Sequence, residues 1–82
     1  MSVRLSDEGT VMLEGHCPVE DAERLLQHLL GNTEARVDWT NCDHAHAAII
    51  QILLVAGSKM QGPPRGAFLR TFIAPLFSLP QL

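Results

Sequence analysis

Apolar and polar residues alternate at the start of the chain: Val3 and Leu5 are interleaved with Arg4 and Ser6, and Val11-Met12-Leu13 returns after Asp7-Glu8-Gly9. This pattern predicts a β-hairpin over residues 3–15, with Gly9 free to take positive φ in the turn and Gly15 closing the second strand. The period then changes. Val19, Ala22, Leu25, Leu26, Leu29 and Leu30 form one stripe at helical spacing, with Arg24 and His28 on the opposite face. Pro18 suits the first turn, Glu20 and Asp21 suit the positive end of the helix dipole, and Gly31 is the expected stop.

Residues 34–40 alternate again, with Ala35, Val37 and Trp39 on one side and Arg36, Asp38 and Thr40 on the other, which predicts a strand. Asn41-Cys42-Asp43 reads as the following turn, with Asp43 as N-cap of a helix over residues 44–56 that ends at Gly57. That helix is apolar nearly all round. Beside the core stripe of Ala45, Ala48, Ile49, Ile52, Leu53 and Ala56, the positions Ala47, Ile50, Leu54 and Val55 continue the apolar surface, with Gln51 almost alone among them. Such a helix is either sandwiched, which is hard to arrange in so small a fold, or it offers a sticky face to a partner.

Residues 58–62 suit a short strand, and Gly62-Pro63-Pro64 is a break. Phe68, Leu69, Phe72, Ile73 and Leu76 return to helical spacing from Arg65 onward. Pro75, which lacks a donor and crowds the preceding turn, is expected to kink or end that helix and leave 76–82 as an irregular tail packed on the body. Strands alternating with amphipathic helices predict an α/β fold: a mixed, mainly parallel sheet of about four strands with three helices and a leading hairpin. Residues 1–82 form one domain, of which 63–82 are a Pro-containing C-terminal helix and tail.

The chain has 82 residues and a formal net charge of −3. A chain of this length buries only about 60–65% of its unfolded surface, so partner surfaces are expected to add to its stability. The charge is unevenly placed. All nine acidic residues fall within 1–43 beside Arg4, Arg24 and Arg36, whereas 44–82 hold Lys59, Arg65 and Arg70 with no acid. Three scattered cations without interleaved aromatics cannot displace many phosphate counterions, which disfavours nucleic acid. The longest apolar stretch, residues 47–57, is too short for a bilayer span. With no signal-peptide pattern and only two cysteines, a reducing cytoplasm is the expected location.

In a sheet of this kind, functional loops gather at the carboxyl ends of strands. Two are prominent here: Gly15-His16-Cys17, and Asn41-Cys42-Asp43-His44-Ala45-His46. Cys17, Cys42, His44 and His46, with His16, have the ligand types for a metal, or for a redox-sensing site. Their spacing is not an established zinc pattern, and two residues two apart diverge by about 200° on a helix. No metal or other cofactor is therefore expected. Cys17 before Pro18 at a helix start is the one candidate for an activated thiol, yet no substrate pocket, oxyanion hole or catalytic carboxylate pair accompanies it, so an enzyme is not expected.

The run Val37-Asp38-Trp39-Thr40-Asn41-Cys42-Asp43-His44-Ala45-His46-Ala47-Ala48-Ile49-Ile50-Gln51-Ile52-Leu53-Leu54 resembles the central segment of a STAS domain, the module of bacterial anti-sigma factor antagonists and sulphate-transporter tails. The hairpin with Leu13-Glu14-Gly15 and the helix after it are similar to the opening of that family, so the resemblance covers roughly residues 3–57. It implies a non-enzymatic regulatory module that binds a protein partner: a kinase-like anti-sigma factor, or a subunit of a membrane transporter. A homodimer through the same face is equally compatible. The implied partner surface comprises Asn41, Asp43, His44, His46, Ala47, Ile50 and Leu54. Carried over by position, the phosphorylatable hydroxyl of the family falls on Ala47, the acid before it on His46, and the glycine two residues later on Ile49. The resemblance thus implies a module without the usual phosphate switch. The nearest hydroxyls, Thr40 and Ser58, do not match that position, and the Pro-containing tail stands in for the last strand and helix of the family.

Overall fold

The structure, a computed structural model, describes residues 2–78; the expected tail over 79–82 lies outside them. The hairpin forms from β1 (Val3–Leu5) and β2 (Val11–Leu13), with Val3 opposite Leu13 and Leu5 opposite Val11. Gly9 takes φ +84° in its turn, where the Gly9 N–H donates to the Ser6 carbonyl at 3.0 Å. A third strand that the sequence pattern does not predict, β3 (Gly15–Cys17), follows at once. A 3-10 turn (Val19–Asp21) then leads into α1 (Ala22–Gly31), followed by β4 (Arg36–Asp38), β5 (Cys42–Ala45), α2 (Ala47–Ala56) and β6 (Lys59–Gln61).

The main sheet has the order β1-β2-β4-β6, antiparallel between β1 and β2 and parallel across the other two pairs. It is the mixed, mostly parallel four-stranded sheet expected, and the fold is α/β. The two central strands do not stop at its edge. Gly15, at φ +66°, bends the chain after β2, and Trp39 to Asn41 bend it after β4; the continuations β3 and β5 pair in parallel as a separate two-stranded ladder. Within that ladder the register moves from Gly15 opposite Cys42 to His16 opposite His44, so Asp43 is the extra residue of a bulge.

This ladder corrects the expected helix start. Residues 42–45 are strand, not helix, because their backbone groups pair with β3, a contact 27 to 28 residues away in sequence that local preference does not reveal. The cap moves with it: His46, not Asp43, precedes α2, and its Nδ1 accepts from the Ala48 N–H at 3.0 Å. At the far end Gly57 sits in the left-handed region at φ +64°, as its place after the helix predicts.

Val3, Val11, Leu13, Leu25, Val37, Ile49 and Leu53 fill the core between the sheet and the helices. The C-terminal segment completes it. After a first helical turn at 67–68, Leu69–Ile73 form a π-helical turn and Ala74–Ser78 a 3-10 helix. The chain thus remains helical past Pro75. The Ala74 N–H reaches five residues back to the Leu69 carbonyl, and the change from a wide to a tight turn falls next to the proline that has no N–H to donate. The expected irregular stretch begins no earlier than 79, because 76–78 belong to the 3-10 helix.

The same segment answers the question of the apolar helix. α2 is partly covered: Ala48 and Ile52 border the cleft toward α1, and Ala47, Ile50 and Leu54 border the cleft toward Leu69 and Ile73, with Gln51 on the rim of both and Val55 still 82% exposed. Ile50 was expected bare and is 8% exposed; Leu54 is half-buried. Leu69, 2% exposed, supplies the cover.

Candidate interaction surface

The residues of the expected partner surface divide into two groups. Asn41, His44, His46 and Ala47 are exposed on one edge, where β5 passes into α2, and Asp43 is half-buried among them. Ile50 and Leu54 lie beneath the C-terminal segment and do not present a face. Of the residues implied by the STAS resemblance, the position equivalent to the phosphosite, Ala47, is the first residue of α2 and is open to solvent.

Asp43 and the backbone of Asn41 on this edge are held by Arg65. Arg65 Nε donates to Asp43 Oδ1 at 2.7 Å, and Arg65 Nη2 donates to Asp43 Oδ2 at 2.8 Å and to the Asn41 carbonyl at 3.2 Å. The hydrogen bond from Arg65, with its charge, holds the Asp43 carboxyl below the usual carboxylate range. The clamp explains why Asp43 does not cap α2 and why the bulge sits where it does: the C-terminal segment crosses β5 at this residue, and the Gly66 N–H donates to the Cys42 carbonyl at 2.9 Å. His16 and His44 lie opposite each other on β3 and β5 with ring centroids 5.8 Å apart.

Alternation along β3 and the bulge at Asp43 in β5 separate the thiols from the imidazoles. Cys17 and Cys42 point into the core, whereas His16 and His44 point outward. The alternative metal set of Cys17, Cys42, His44 and His46 is therefore not brought together, and among the described residues no group of three or more His, Cys, Asp or Glu is placed to hold a metal ion. The Cys17 side chain is fully buried, with the Sγ atoms of Cys17 and Cys42 3.9 Å apart.

The structure adds residues that the sequence pattern placed only on a helical stripe. Leu69 and Ile73 form the inner row of the C-terminal segment, and the neighbouring row points outward: Phe68 is 60% exposed and Phe72 63%, their rings 5.3 Å apart. Leu76 is 39% exposed and lines a different cleft, with Trp39 and Phe77. Between the C-terminal segment and α2 runs an apolar cleft of about 400 Å³ that begins at Ala45 and Ala47. Of the apolar surface expected on α2, Ala47 and Val55 are exposed and Ile50 is buried, and a further exposed apolar pair stands on the segment beside α2. The signal is in the sequence as the i, i+4 spacing of Phe68 and Phe72, but spacing alone does not say which of two adjacent rows faces the core.

On the other side of α2, a second apolar cleft of about 500 Å³ separates it from α1, with Leu26, Leu30 and Val55 at its mouth. Among the described residues, no helix is long and apolar enough to cross a membrane. Comparisons of the chain with protein-family models, with curated proteins and with solved structures find no match.

Proposed function

We propose that the chain is a non-enzymatic, STAS-like regulatory module that binds a protein partner on the edge where α2 begins, with Phe68 and Phe72 as the apolar part of the contact. The observation that carries this reading is the outward placement of two neighbouring phenylalanines, Phe68 and Phe72, the first of which lines one apolar cleft with Ala47. Two aromatic side chains left in water at that exposure forgo on the order of 25 cal/mol for each Å² of apolar surface, and a partner that covers them recovers it. Aromatic residues are also the side chains that most often dominate binding energy at protein interfaces.

The STAS-like order of hairpin, helix, strand and helix supports the same reading, with residue 47 at the open start of the second helix. In this reading the partner is a kinase-like regulator of the anti-sigma factor type or a transporter subunit, and it meets a neutral methyl group at Ala47 in place of a phosphorylatable hydroxyl. Binding is then constitutive with respect to phosphate at this position. A photo-crosslinking side chain at Ala47 or Phe72 is expected to capture the partner, whereas the same side chain at Glu8, in the turn of the hairpin, is expected to capture none. Equal capture from all three positions, or capture from Glu8 alone, contradicts the reading.

A further inference from the structure

Cys17 and Cys42, the two cysteines of the chain, meet in the core. Cys17 ends β3 and Cys42 opens β5, and both side chains are 0% exposed. Their 3.9 Å Sγ separation compares with about 2.05 Å in a disulfide, so the sulfurs need to close by roughly 2 Å. The local backbone has slack for this: the ladder that holds both residues is short, two-stranded and broken by the bulge at Asp43. The Ser2 carbonyl lies 3.8 Å from Cys17 Sγ, and Ser2 is held by the Glu14 N–H, which donates to that carbonyl at 2.8 Å, and by a hydrogen bond from its hydroxyl to the Asp21 carboxylate. A local opening at this residue would give an oxidant access to Cys17.

We propose that Cys17 and Cys42 form a thiol–disulfide site, in which a peroxide-class oxidant converts the buried pair into an intramolecular bond that staples β3 to β5. The inference does not depend on the partner-binding reading. Cys17 is the attacking sulfur: a hydrogen bond from the Cys42 thiol favours its thiolate, whereas that same contact and burial push the Cys42 thiol up. The Cys17 thiolate attacks one oxygen of hydrogen peroxide and the O–O bond breaks. The leaving hydroxide takes a proton and departs as water, and Cys17 becomes a sulfenic acid. Cys42 sulfur then attacks the Cys17 sulfur, the S–O bond breaks, and a second water leaves with the Cys42 proton. Two thiols and one peroxide give one disulfide and two waters, the sulfurs together losing two electrons.

The test is to treat reduced, folded protein with hydrogen peroxide, denature it in an alkylating agent and measure its intact mass. The expected product is a monomer lighter by two hydrogen atoms, with no alkyl group added, a Cys17–Cys42 cross-linked peptide, and full return of both thiols on reduction. Ser2→Ala, which removes the bond to Asp21, is expected to speed its formation. Cys42→Ser is expected to stop at oxygen added to Cys17. Two thiols that still alkylate, oxygen added separately to each cysteine of the wild-type chain, or disulfide-linked dimers as the main product would each overturn the proposal, and none of these readings requires a variant to fold.

Discussion

Gly66 lies flat against the backbone of Asp43: a Cβ at Gly66 would stand 2.7 Å from the Asp43 carbonyl carbon and 3.1 Å from its Cα. The close approach lets the Gly66 N–H reach the Cys42 carbonyl and brings Arg65 onto the Asp43 carboxylate. Because the obstacle is backbone in a paired strand, it cannot rotate away. Gly66→Ala is therefore expected to destabilise the fold by about 1–3 kcal/mol in urea unfolding, the usual cost of overpacking. Gly31→Ala is the control. Nothing lies within 4 Å of a Cβ there and the residue is helical, so the substitution is expected to be neutral or to stabilise by about 0.4–1 kcal/mol.

The two rows of the C-terminal segment are expected to respond differently to truncation. Leu69→Ala removes a buried side chain that joins the main core, and about 2–5 kcal/mol of stability should go with it. Phe72→Ala removes a larger side chain from solvent and should stay within about 0.5 kcal/mol of the wild type. Chemical denaturation of the two variants side by side checks the assignment of inner and outer rows; equal losses would contradict it.

The Asp43–Arg65 clamp makes a prediction about acid. Because the folded-state carboxyl is held below its ordinary value, the contribution of the pair is present above about pH 3.9, the unfolded value for aspartate. It is lost as pH falls through the lower folded value. A carbon-detected NMR titration should find the Asp43 carboxyl titrating below the usual aspartate range in the wild type and moving back up toward it in Arg65→Ala. An unchanged midpoint in that variant would show that Arg65 is not its partner.

Much of this architecture is legible in the sequence, and the parts that are not have a common cause. The hairpin, α1, β6 and the end of α2 follow from local chemistry: Gly9 and Gly57 take the positive φ their positions demand, and Val11, Leu13 and Val37 point inward on a period of two. Residues 42–45 carry no strand signature of their own, and only the ladder with β3 makes them one. Asp43 has the ideal chemistry for a cap, yet an arginine 22 residues later takes its carboxylate and leaves the cap to His46. Ile50 looks bare only until Leu69 returns over it. On the candidate surface, the exposed residues of the β5–α2 edge could be named from the sequence, but the phenylalanine row could not be distinguished from the core row beside it.

Trp39 offers a reporter for the docking of that segment. The chain has a single tryptophan, which is buried, and Phe77 packs edge-on against its indole with ring centroids 5.2 Å apart. Phe77→Ala is expected to let water reach the indole and shift its fluorescence emission to longer wavelength, with the circular dichroism retained and a modest loss of stability. An unshifted emission maximum would place Phe77 away from the tryptophan in solution.

The central claim is that the exposed Phe68 and Phe72, the first in one cleft with Ala47, are the partner-binding surface. Its most direct test is calorimetric titration of the purified partner captured through Ala47 or Phe72 into the wild type, Phe72→Asp and Val55→Asp. The last places the same charge on the opposite side of α2. Phe72→Asp is expected to weaken binding about tenfold or more, as loss of an aromatic anchor does, while Val55→Asp binds as the wild type does and all three unfold alike. Unchanged affinity in Phe72→Asp, or loss confined to Val55→Asp, would contradict the account.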